Sequence, residues 1–158
     1  MLRSLALAPL LLMGVGGCPS TNRPLDAVFV FSTDESETHA QVDAYRAQQD
    51  LPPLEADELL GELARLHSED MLAGRVPFSH DGFDERAGTM AEAGYLASGE
   101  NVAVNAGFSD PVTTAVEGWL DSPGHHDNII GDWTHTGVGI ATDGDQYYFT
   151  QLFGHRDD

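Results

Sequence analysis

The sequence predicts an α+β fold, on three observations. Apolar residues recur at helical spacing in segments that occupy the chain from about Glu37 to Leu120; runs rich in β-branched and aromatic residues follow Gly137; and an Asp-Gly turn separates two of these runs. Helices set apart from an antiparallel pair are the mark of the α+β class, whereas a parallel sheet would alternate strands with helices. A length of 158 residues suits one domain with a sizeable core and leaves little room for a second.

Residues 1–17, MLRSLALAPLLLMGVGG, place a single charge, Arg3, ahead of an apolar run from Leu5 to Val15. The run is too short to cross a bilayer and is expected to be a secretory signal peptide. Cys18 follows and is the only cysteine, so an intramolecular disulfide is excluded. The tail VGGC resembles a lipoprotein signal, cut before a cysteine that is then lipidated; the alternative is a plain secretory signal with an incidental Cys18. Export is expected either way, as a cell-envelope lipoprotein or a secreted protein. Residues 18–36 read as a linker of turn formers with one apolar run, Val28 to Phe31, leading into a domain over 37–158.

The first helix is predicted from ETHAQVDAYRAQQ, with Val42, Tyr45 and Arg46 at helical spacing, and ends before Pro52 and Pro53. The second places Leu60, Ala64, His67 and Met71 on one face and closes at Gly74. His67 on that apolar face reads as a structural histidine. A Gly- and Ser-rich stretch comes next, with a brief helical segment around Asp84 to Ala93. Pro111 then opens a helix whose Val112, Ala115, Val116 and Trp119 form a stripe. Ser122, Pro123 and Gly124 break it, and HHDNIIGDWTH is expected to be a turn. Strands are predicted over Val138 to Ala141 and around Tyr147 to Phe153, joined by a hairpin at Asp143, Gly144 and Asp145. The oxygen spacing of a calcium loop is absent there.

Charge narrows the partners. The net charge is −19, and all seven basic residues are arginine. Such a surface repels nucleic acid and anionic headgroups, so neither is expected as a partner, and membrane contact is expected only through a lipid on Cys18.

Seven segments in order, VDAYRAQQDLPPL, ARLHSEDM, FSHDGFDERAGTMAEAGY, GENVA, AVEGWLDSPGHHDNII, THTGVGIA and YYFTQLFG, resemble the CAP superfamily, also called the SCP, PR-1 and antigen 5 family, in its bacterial branch. The resemblance runs from about Val42 to Gly154. It implies a three-layer α-β-α sandwich with a small, mainly antiparallel sheet, in a secreted or surface-anchored protein. It also implies a cleft lined by two histidines and an acid, which fall on His80, His125 and Glu100. Ser122 stands where the plant and venom branches carry a second glutamate, which puts a full four-ligand cleft in doubt. Glu117 and Asp121 lie near it in sequence, but Glu117 sits on another side of the helix and does not inherit that role. His126, where the bacterial branch more often has arginine, reads as a surface substitution.

Three chemistries suit these residues. His80, His125 and Glu100 are ligand types for a divalent cation such as zinc with positions left open to water, and some family members bind divalent cations there. The same groups could act as general acid and base, with Glu100 orienting an imidazole. No nucleophile accompanies them, since Cys18 is far away and Ser79 and Ser122 lack a strained elbow. The third chemistry is scaffolding, with Asn101 and Asn128 fixing loops. The reading that results is an exported protein whose cleft binds a small ligand, lipid or peptide, with or without a metal. The alternatives are a metal-dependent extracytoplasmic hydrolase and a non-catalytic interaction protein.

Overall fold

The computed structural model describes residues 29–157, so the expected signal peptide, Cys18 and the start of the linker lie outside it. The first helix, α1 (Thr33–Gln48), begins four residues before the expected Glu37 because Ser32 and Glu35 form a capping box. The Ser32 hydroxyl accepts from the Glu35 amide at 3.2 Å, and the Glu35 carboxylate accepts from the Ser32 amide at 2.7 Å. Phe29 is buried, and its ring meets Phe31 edge-on at 4.9 Å and lies 4.2 Å beneath the Arg65 guanidinium. Residues 29–36 therefore pack as part of the domain, and the linker ends earlier than the expected boundary at residue 36.

The remaining elements are β1 (Glu55–Ala56), α2 (Glu58–Leu72), α3 (Phe83–Glu92), β2 (Ala97–Ala106), α4 (Pro111–Leu120), α5 (Pro123–Ile129), β3 (His135–Thr142) and β4 (Gln146–His155). The strands form one sheet in the order β1-β3-β4-β2; β1 is parallel to β3 and the other pairings are antiparallel. Successive residues of a strand face opposite ways, which divides the sheet cleanly. On one face, Phe149 and Phe153 pack with Val42 of α1, with Val112, Ala115, Val116 and Trp119 of α4, and with Ile129 of α5. On the other, Leu152 packs with Leu60 and Ala64 of α2, Met90 of α3 and Tyr95. The fold is thus a three-layer α-β-α sandwich. Among the described residues no helix is long and apolar enough to cross a membrane.

Two elements depart from the expected pattern. Residues 97–106, expected to be turn-rich loop, form β2, one of the two longest strands. Gly99, Asn101 and Asn105 suppress the strand signature there, yet all ten residues pair with β4. Pro123, expected only to end a helix, opens α5 as its first residue, where a missing N–H costs nothing. The hairpin turn is as expected, with Gly144 at φ 99°.

Glycines set how closely α2 approaches the sheet. A Cβ on Gly139 would lie 1.9 Å from the Arg65 amide nitrogen, and one on Gly137 would lie 2.1 Å from that of Gly61. The backbone of α2 therefore lies directly against β3, with no side chain between them.

Candidate functional site

The two helical layers meet at the outer edge of β2. His80, in the loop before α3, comes from the layer of α2 and α3, and His125, in the first turn of α5, comes from the other layer. Glu100 of β2 stands between them. Their imidazole rings tilt at 42° with centres 6.3 Å apart. The structure thus brings together all three residues expected at the cleft, and Ser122 lines a groove beside His125.

Each is held by a specific partner. The Glu100 side chain is 1% exposed, and its carboxylate is gripped from two sides. Arg86 of α3 donates from Nε to Oε2 at 2.7 Å, while Oε1 lies 2.9 Å from Nδ1 of His80. A carboxylate paired with a guanidinium only accepts, so Nδ1 of His80 donates to it and Nε2 is the ring nitrogen turned away from the carboxylate. Arg86 also donates from Nη1 to the Asp81 carbonyl at 3.1 Å, which ties the His80 loop to the same cation. Sequence reasoning missed Arg86; its signal, one of only seven basic residues placed in an amphipathic segment rich in acids, is visible only in retrospect.

This changes the role of Glu100. Each of its oxygens already accepts from a protein donor, Oε1 from His80 and Oε2 from Arg86. Among the described residues no group of three or more histidine, cysteine or acidic side chains is arranged to hold a metal ion. Glu100 is a positioning residue that fixes the ring and tautomer of His80, as carboxylates commonly do behind metal-bound histidines. The two imidazoles still fit one ion. A zinc bonded to a nitrogen of each at ~2.0–2.1 Å holds the ring centres roughly 5–6 Å apart, close to the separation seen.

The histidine nearest by sequence is elsewhere. Nε2 of His126 lies 2.8 Å from the Tyr45 hydroxyl of α1, and the two rings meet edge-on. His125 and His126 thus turn to different neighbours, and His126 is a contact between helices instead of a plain surface position. Among the described residues the His125 side chain has no hydrogen-bond partner. Burial, and then the charge of His80, hold its pKa below the ordinary histidine value, which favours the neutral, ligand-competent ring.

Asparagines join the elements around the pair. Asn101 Nδ2 donates to the His125 carbonyl at 3.1 Å, and Asn128 Nδ2 lies 3.0 Å from the Glu100 carbonyl and 2.9 Å from Asn101 Oδ1. Buried Arg46 donates to the Ile129 carbonyl at 2.7 Å and so anchors the end of α5 to α1.

His67 is buried on α2, and its Nε2–H donates to the Ser79 carbonyl at 3.0 Å, pinning the residue before His80. Burial holds the His67 pKa below the ordinary value, with the Ser79 contact opposing it. A depressed folded pKa means that the native state binds fewer protons than the unfolded chain. The stability due to His67 is therefore complete above the unfolded pKa of about 6.5 and is lost as pH falls through the lower folded value. The melting temperature is expected to decline from about pH 6.5 towards 5, and less steeply in His67→Gln, which keeps a donor for Ser79; parallel thermal melts of the two proteins check this.

Comparisons with known proteins agree with this architecture. The model of the cysteine-rich secretory protein family, CAP, matches residues 39–153. The uncharacterized membrane protein YlbC of Bacillus subtilis (strain 168) is 36% identical over 132 residues, covering 79% of this chain and 35% of that protein. The uncharacterized protein YkwD of the same organism is 33% identical over 138 residues, covering 84% of this chain and 51% of that one. A crystal structure of an extracellular protein containing a SCP domain from Bacillus anthracis superposes with a TM-score of 0.66 at 30% identity, over 78% of this chain and 40% of that one. The chain spans about a third to a half of the length of these relatives. With the α-β-α sandwich and the ordered motifs through His80, Glu100 and His125, the chain belongs to the cysteine-rich secretory protein (CAP) family.

Proposed function

We propose that the protein is an exported binding module whose cleft takes up a divalent cation on Nε2 of His80 and the ring of His125. The observation that supports this reading most directly is the Arg86–Glu100–His80 chain: it turns one imidazole nitrogen towards a buried carboxylate and leaves the other without a hydrogen-bond partner among the described residues, like the neighbouring ring of His125. A bound cation supplies a Lewis acid with open positions, where an anionic or carbonyl oxygen of a ligand can replace water. Glu100 and Arg86 set the geometry; His80 and His125 bind. Export, with or without lipid on Cys18, accords with the extracellular relative from Bacillus anthracis and with the apolar N-terminal run.

Catalysis is not part of this reading. Among the described residues no serine or threonine hydroxyl is hydrogen-bonded to His80 or His125, so no side-chain nucleophile is activated there. Titration calorimetry with zinc tests the proposal. Wild type is expected to bind one ion per chain, and His80→Ala and His125→Ala each to lose at least a hundredfold in affinity while melting cooperatively. Unchanged zinc binding in either variant refutes the assignment.

A further inference from the structure

A groove of about 260 Å³ begins at His125 and continues along β2. Its floor is the edge of β2 itself, since Val102, Ala103, Val104 and Asn105 all border it, although alternate residues face opposite layers. One wall is Phe78, whose ring also contacts Tyr148, the residue paired with Val104. The other wall is α4, which presents Thr114, Ala115 and Gly118. Phe78 and Val104 are large apolar side chains exposed on this site.

The edge beneath the groove is partly spoken for and partly open. The Asn128 amide caps the Glu100 carbonyl, and the Trp119 indole N–H donates to the Val102 carbonyl at 3.0 Å, so both carbonyls point away from β4. In an antiparallel strand every second residue turns both its N–H and its C=O to the same side. Val104 and Ala106 therefore present their backbone groups outward as well, and among the described residues no strand lies beyond β2 and no side chain caps these two residues.

Charge identifies the occupant. A hollow of about 330 Å³ bordered by His80, Asp81, Asp84 and Glu85 lies past the groove's His125 end, the two imidazole rings being 6.3 Å apart. An apolar slot with a strand edge unpaired among the described residues as its floor, and acids past its His125 end, matches an extended peptide that carries apolar side chains and basic residues.

We infer that the protein binds such a peptide by strand addition to the open edge of β2. The peptide backbone pairs with Val104 and Ala106, an apolar side chain enters between Phe78 and Gly118, and a basic residue reaches the acids beyond His80. The inference does not rest on the cation, and its test is run with EDTA present, so its failure is separate from that of the metal proposal.

Two substitutions suit the test. A Cβ on Gly118 meets no atom within 4 Å and its φ is not positive, so Gly118→Leu fills the slot without disturbing the fold. Val104→Pro removes an N–H that the β2–β4 ladder does not use, a change tolerated on edge strands. The probe is the fluorescein-labelled hexapeptide Lys-Val-Val-Ala-Val-Lys, followed by fluorescence polarisation. Wild type is expected to bind it, with affinity falling as salt rises, and both variants to lose at least tenfold while keeping the wild-type circular dichroism. A peptide with glutamate in place of both lysines is expected to bind at least tenfold more weakly. Absence of hexapeptide binding to wild type, equal binding by wild type and Gly118→Leu, or equal binding of the glutamate peptide overturns the inference. So does a wild-type dimer in sedimentation that Gly118→Leu dissociates, since the occupant is then a second copy.

Discussion

Gly139→Ala is expected to destabilise the fold severely. The added methyl would sit 1.9 Å from the Arg65 amide nitrogen and 2.3 Å from the Ala64 carbonyl carbon, both backbone atoms of α2, so no rotamer change relieves the overlap. The helix would have to lift off β3, which opens the layer built on Leu60, Ala64 and Leu152. Overpacking of this kind costs about 4 kcal/mol or more where backbone must move, against a total stability of roughly 5–15 kcal/mol. Gly118→Ala is the control, because its methyl meets nothing and alanine is the better helix former by about 1 kcal/mol. Thermal melts followed by circular dichroism should show a lost or broadened transition for Gly139→Ala and an unchanged or raised midpoint for Gly118→Ala. A wild-type melt for Gly139→Ala contradicts the close approach of α2.

Arg86→Met is expected to destabilise by about 3 kcal/mol, because it leaves the Glu100 carboxylate buried with only an imidazole beside it. Glu100 is 1% exposed and Arg86 11%, so water compensates little for the missing guanidinium. For a domain of this size the loss is a drop of roughly 10 °C in melting temperature. Arg86→Met/Glu100→Gln removes both charges and leaves a glutamine oxygen to accept from His80, so it should recover most of that stability. A double variant no more stable than Arg86→Met would show that the cost lies in packing and not in a stranded charge. Zinc affinity separates the roles further: the double variant keeps both imidazoles but loses the carboxylate behind His80, and a loss of about ten- to a hundredfold is expected.

The helices were legible where apolar spacing was sustained. Leu60, Ala64, His67 and Met71 of α2, and Val112, Ala115, Val116 and Trp119 of α4, are buried as the periodicity required. β2 was not legible, because its residues answer to different neighbours: Gly99 lies against Trp133, Asn101 reaches α5, and Glu100 carries the site. A strand whose side chains are chosen for such contacts loses the alternation by which strands are read. The start of α1 was missed for the opposite reason, since Ser32 and Glu35 carry a local signal with no apolar run close behind it. At the site, the motifs named His80, Glu100 and His125, but a motif states only which residues are present. That Glu100 is held between His80 and Arg86 is not in the motif, because Arg86 is fourteen residues away in sequence and meets Glu100 through the packing of α3 on β2.

Whether the Arg86–Glu100 pair presents Nε2 of His80 together with the ring of His125 to a cation can be read from the histidine ring nitrogens. Long-range proton–nitrogen spectra of the 15N-labelled protein, recorded with and without one equivalent of zinc, report each nitrogen separately. Of the seven histidines, only His80 and His125 are expected to shift, with His80 keeping its proton on Nδ1 and changing at Nε2. Zinc shifts at His126 or His67, or a change at Nδ1 of His80, would contradict the account.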